Sequence, residues 1–221
     1  MKTINAFTID DSIFYGDEMP NIPVDSPFGH LGEKYIFLMY RLQYTNDTVK
    51  ELYDLQSNYH EKFSNKIYLE DCHYKICHRV LRFLSEIKMV TDEMISFLYI
   101  LEYYKTNNEW PKKIAIDCIS KYLSVNNKLD FQLPKDSRPF LNKINTLGNA
   151  VKHTFVNSEV LWKRSKNATP ILIAYHQPNN DSSQPVQFEV TELPDFITKF
   201  NSFLEDFRNI IRIQYPAVQN L

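Results

Sequence analysis

Asn142, Asn145, Asn149 and His153 recur at intervals of three and four residues. On an α-helix, turning about 100° per residue, these four side chains fall within about an 80° sector. Lys152 borders that sector, and Leu141, Ile144, Gly148, Val151 and Phe155 share a different, apolar side. Asparagine is a poor helix former, so a stripe of three costs intrinsic helicity. Two uses would repay that cost. The amides can hydrogen-bond a neighbouring helix or a partner subunit. Alternatively, a stripe ending in Lys and His can grip a phosphate and move protons, because imidazole titrates near neutral pH. Residues 135–168 carry Lys135, Arg138, Lys143, Lys152, Lys163, Arg164 and Lys166 against only Asp136 and Glu159. That local excess reads either as a solvated face or as an anion-binding patch.

Rival chemistry is sparser. In Cys72-His73-Tyr74-Lys75-Ile76-Cys77-His78, His73 and Cys77 lie four apart, as do Tyr74 and His78. One helix face then offers two ligands where structural zinc takes four, so no metal is assigned. The reading is buried thiols and exposed imidazoles. With glycines only at 16, 29, 32 and 148, no G-x-G-x-x-G and no G-x-x-x-x-G-K-[ST] can be written. That removes the glycine-rich phosphate cradles. Neither G-x-S-x-G nor H-E-x-x-H occurs, and no cofactor is assigned. Tyr99, Tyr103 and Tyr104 have helical spacing and read as core before groove.

The elements that must carry these residues are mostly helical. The chain has 221 residues, 43% hydrophobic and 24% charged, a globular mixture large enough for its own core. A net charge of −2 lacks the overall basicity common in nucleic-acid-binding domains. Three cysteines, an odd number, argue against a disulfide framework and for a reducing cytoplasm. No signal-peptide pattern opens the sequence, and apolar runs such as 35–40 are far too short to span a membrane. The expectation is a soluble cytoplasmic protein without membrane association.

Residues 1–28, with three prolines and five acids, read as an irregular lead-in on the surface. Residues 29–221 read as one domain. Tyr35, Leu38, Met39 and Leu42 start a helical pattern; Thr45-Asn46-Asp47-Thr48 offers a turn or a fresh N-cap, with Glu51 placed as in a capping box. The periodicity resumes through Phe63. A long helical stretch covers about 69–106, with Thr91-Asp92 as a candidate internal cap. A short helix is expected at 114–123 and another from about Pro139 to Val160, capped by Ser137. The tail alternates differently. Ile171 to His176 and Val186 to Val190 read as a hairpin over about 171–191. Pro194 then opens a final helix to about 214, striped with Phe196, Phe200, Phe203, Phe207 and Ile210.

The octapeptide Leu147-Gly148-Asn149-Ala150-Val151-Lys152-His153-Thr154 resembles the signature segment of HEPN domains, small helical proteins whose motif is an Arg, often a following Asn, then a His four to six residues after the Arg. Asn149 and His153 match its Asn-x-x-x-His part, and Lys152-His153 followed by a small hydroxyl residue resembles an uncharacterised bacterial branch. The likeness covers roughly 31–160. It implies a mainly α fold, a HEPN-like bundle to which the hairpin and last helix are additions. It also implies a homodimer with the two motifs facing across a cleft, and metal-independent endoribonuclease chemistry or RNA binding. The setting implied is a toxin–antitoxin or phage-defence system with a protein antitoxin or defence partner. His153 would be the catalytic acid or base and Asn149 its orienter. Asn145, Lys152, Lys163, Arg164 and Lys166 would touch RNA phosphates. The sequence departs from the motif at one place: Gly148 stands where the family has Arg, and positions 146 to 148 hold no cation. The alternative that follows is a nuclease-dead helical interaction or dimerisation module. Phe155 and Val156 occupy the place of the Tyr that some family toxins have modified.

Overall fold

A computed structural model describes residues 1–6, 20–63, 70–124, 133–134, 137–153, 169–176, 181, 183–185 and 187–216, with the backbone alone at 58–63, 70–73, 151–153, 173–176 and 187. The described chain is mainly helical. Its order is α1 (Leu31–Phe63), α2 (Glu70–Asn107), α3 (Ile119–Ser124), α4 (Ser137–His153), β1 (Ile171–His176), β2 (Gln187–Glu192) and α5 (Leu193–Gln214).

The first two helices are long and antiparallel. Arg41 on α1 meets Glu86 and Glu93 of α2, whereas Glu51, further along α1, meets Arg79, earlier on α2, at 2.5 Å. No break occurs at Thr45–Thr48, contrary to the turn that its residue types suggest. Thr45 instead donates its hydroxyl to the Arg41 carbonyl one turn back at 2.8 Å, and Thr48 is buried. Likewise α2 runs unbroken past Thr91, whose hydroxyl bonds the Ile87 carbonyl at 2.7 Å. Both hydroxyls satisfy themselves within the helix rather than capping a new one. Asn108, at φ 54°, ends α2 in the left-handed region, and Trp110 stacks on Tyr104 with ring centroids 4.0 Å apart. The short helix after it is only Ile119–Ser124, beginning later than the periodicity from Ile114 suggested.

α5 is the axis of the core. Its Phe196, Phe200, Phe203 and Phe207 are all essentially fully buried, as the stripe predicted. Phe196 meets Phe83 of α2 edge-on at 5.7 Å and Phe140 of α4 at 5.2 Å; Phe207 stacks near Tyr35 of α1 at 6.3 Å. One helix therefore touches three others through aromatic rings, each contact adding a modest increment beyond area burial. Burial pushes the Tyr35 hydroxyl above its ordinary pKa, against the pull of Arg208 and Arg212.

The hairpin pairs Ile171 with Glu192 through His176 with Gln187, antiparallel. Its inner face buries Leu172, while Phe188 and Val190 of β2 are exposed. Lys143 of α4 holds β2 by pairing with Glu189 at 3.3 Å and reaching the Val190 carbonyl. Leu193 follows β2 directly and donates to the Pro170 carbonyl at 2.8 Å, so the ladder runs into the first turn of α5. Part of the N-terminal lead-in lies within the core rather than on the surface: Ile4, Ala6 and Ile22 are buried with it.

Candidate functional site

The Asn/His stripe belongs to α4, which starts at Ser137 and is helical through His153. Ser137 is the first helical residue rather than the cap before it. Its hydroxyl donates to the Asp206 carboxylate of α5 at 3.1 Å, anchoring the start of α4 to the core helix. Leu141, Ile144 and Leu147 are sunk between neighbouring elements, and Phe140 and Ala150 are nearly so. This apolar side presses α4 against α2, α3 and β1.

The asparagines graduate from solvent into the fold. Asn142 is exposed, whereas Asn145 and Asn149 are half-buried. The side-chain carbonyl oxygen of Asn145 is buried and accepts no hydrogen bond. An unsatisfied buried carbonyl costs about 1–3 kcal/mol. His153 is the last described residue of the helix, with Lys152 before it; of these two the structure describes the backbone. Lys163, Arg164, Lys166, Phe155 and the rest of 154–168 lie outside the described residues, as does the part of the expected helix beyond 153.

Two members of the basic excess are placed, and both are occupied. Arg138 donates to the Leu123 carbonyl at 2.9 Å and lies 5.5 Å over the Tyr122 ring, fastening α4 to α3. Lys143 is held by Glu189 of β2. These two cations hold elements of the fold together. Burial raises the pKa of the neighbouring Tyr122 hydroxyl, opposed by the backbone N–H of Leu133 and by Arg138.

The tightest feature of α4 is Gly148. A Cβ added there would stand 2.7 Å from both Cβ and Cγ of Lys88, and 3.1 Å from its Cδ. Lys88 belongs to α2 and is 4% exposed. Its ammonium pairs with both oxygens of Asp92 at 2.6 and 2.5 Å. Asp92 in turn accepts the Ile119 backbone N–H at 2.8 Å, at the first residue of α3. One buried ion pair thus links α2 to the start of α3, while α4 lies directly on the lysine stem. Sequence reading missed this pair. The signal was present: Lys88 follows Leu84 by four residues and precedes Thr91 by three, on the buried face of α2. A charged residue at a core position implies a buried partner.

Neither Cys77 nor Cys118 is in a disulfide, and both are half-buried. No described helix is long and apolar enough to cross a membrane. No family model matches the chain, and searches of curated proteins and of solved structures return no match.

Proposed function

We propose that this chain is a non-catalytic helical interaction module of HEPN type, which pairs with a second copy through the asparagine face of α4. The observation that carries this reading is the closed slot at Gly148. An arginine directly before Asn149, the usual order of the motif, would project from that position, and Lys88 already fills the space where its first carbon would sit. The cation beneath cannot substitute, because Lys88 is buried and committed to Asp92. Arg138 and Lys143 are engaged with α3 and β2. Among the described residues of α4, the only arginine is the engaged Arg138, so none offers His153 a free fork to hold a scissile phosphate and stabilise its developing charge. The stripe then serves recognition. The exposed Asn142 and the half-buried Asn149 present amide donors and acceptors, with the half-buried Asn145 between them.

Two measurements test the reading together. Purified protein and a His153→Ala variant are incubated with RNA in EDTA. Neither is expected to cleave. Cleavage leaving 2′,3′-cyclic phosphate ends, lost in the variant, would instead establish a ribonuclease. Sedimentation equilibrium is expected to give a dimer for the wild type and a monomer for Asn142→Arg, a change at an exposed position that leaves the core alone. A wild type that stays monomeric would overturn the pairing.

A further inference from the structure

Residues 2–6 lie in the seam between α1 and α5 and are held in a specific way. Burial alternates along them: Thr3 and Asn5 are exposed, Ile4 and Ala6 are buried, the period-two signature of an extended strand. The backbone groups alternate as well. The N–H of Ile4 donates to the Asn46 side-chain carbonyl at 2.8 Å, and the Asn46 amide donates back to the Ile4 carbonyl at 3.0 Å. On the opposite edge the N–H of Asn5 donates to the Asn201 side-chain carbonyl at 2.7 Å, and the Asn201 amide donates to the Thr3 carbonyl at 2.9 Å. Arg208 adds a bond to the Asn5 carbonyl at 2.6 Å. Asn46 belongs to α1; Asn201 and Arg208 belong to α5. Two helices therefore read the two edges of one strand, as the neighbouring strands of a sheet would.

All five of these bonds go to main-chain atoms. They would form with any extended segment that has free amides, whatever its outward side chains. Selectivity is left to two inward positions, an aliphatic residue where Ile4 sits and a small one where Ala6 sits. A cleft that reads backbone by hydrogen bonds and alternate side chains by fit has the chemistry of strand-type peptide recognition.

From this geometry we propose that the α1–α5 seam is a peptide-binding site. Residues 2–6 occupy it in cis, and it takes in trans an extended segment of a partner protein carrying an aliphatic residue and, two places on, a small one. This inference is independent of the α4 face. The cis segment acts as a competitor at an effective concentration in the millimolar range, so the site opens to partners when that segment is displaced.

The test uses the full chain with Ile4→Asp, which puts a charge into the buried position and frees the seam. The probe is a labelled peptide with the sequence of residues 1–8, followed by fluorescence anisotropy. Circular dichroism checks the fold, and Ala6→Glu serves if Ile4→Asp does not fold. Saturable binding is expected, at least tenfold tighter to the variant than to the wild type. A peptide N-methylated at the Ile4 amide, which removes one clamped donor without touching the protein, should bind at least tenfold more weakly. Peptides carrying Thr3→Ala or Asn5→Ala should bind like the parent. The proposal is overturned by a folded variant that binds no peptide up to about 1 mM, the effective concentration of a tethered segment. It is overturned equally by an N-methylated peptide that binds as well as the parent.

Discussion

Replacing Gly148 by alanine adds one methyl group to α4, and two effects of opposite sign follow. In an exposed helix the change would stabilise by about 1 kcal/mol, because glycine surrenders the most backbone entropy. Here the new Cβ would lie 2.7 Å from two carbons of Lys88, well inside van der Waals separation. The crowded atoms are the Cβ and Cγ, next to the α2 backbone, so they cannot swing aside as a lysine tip would. Relief requires α4 or α2 to move, which disturbs the pairing of Lys88 with Asp92 beneath. Overpacking of this kind costs about 1–3 kcal/mol, and the upper part of that range applies. The expected net effect is a loss of about 1–2 kcal/mol, or a Tm lower by roughly 3–6 °C in a chain of this size. Differential scanning calorimetry reads it directly. Gly32→Ala is the comparison: its nearest neighbour is the exposed His30 ring at 3.1 Å, whose Nδ1 accepts the Glu33 N–H at 3.1 Å, so displacing the ring costs that one exposed first-turn bond. That variant should lose no more than about 1 kcal/mol. A Gly148→Ala protein as stable as the wild type, or more stable, would refute the close approach of α4 to α2. It would also remove the steric argument against an arginine at this position.

Lys88→Ala should cost about 3 kcal/mol in urea denaturation, the low end for breaking a buried pair, because the Asp92 side chain is 19% exposed. A double-mutant cycle with Asp92→Ala should return a coupling above about 1 kcal/mol; additive losses would mean that the pair does not act as a unit. The Tyr215 hydroxyl is pushed up to about 12 by burial, with Glu102 and Tyr104 adding to it, and it donates to the Leu101 carbonyl at 3.2 Å. A pKa raised in the folded state above the ordinary 10.0 means that folding favours the protonated phenol. Its contribution is complete below pH 10 and declines as the pH rises toward 12. Denaturation midpoints measured from pH 9 upward should fall more steeply for the wild type than for Tyr215→Phe; equal slopes would place Tyr215 outside the linkage.

Much of the candidate face was legible because helical periodicity is local. The spacing of Leu141, Ile144 and Gly148 named the buried side of α4, and the asparagine spacing named a separate one. How far that second side is submerged was not legible. Asn142 and Asn149 look alike in the sequence, yet one is exposed and the other half-buried, because neighbouring elements cover only part of the helix. The role of Gly148 was equally hidden. Read by type, it is a gap in a motif. Read in place, it is the contact point of two helices, and its partner Lys88 is distant in sequence.

The sequence by itself determined the element types over most of the described chain. A buried phenylalanine stripe at helical spacing folds as α5 wherever it packs, and alternation at 187–192 marks a strand, but it misassigns the faces: Phe188 and Val190 are exposed while Glu189 and Thr191 are half-buried. The tertiary structure decided whatever depended on distant partners. Thr45-Asn46-Asp47-Thr48 has the residues of a turn, but the Thr45 and Asn46 side chains find other partners, so the helix continues. Asn46 spends its amide on Ile4, and Asn201 and Arg208 grip the same segment from the other helix. Such bonds join positions that no local pattern relates, and they exist only once α1 and α5 stand side by side.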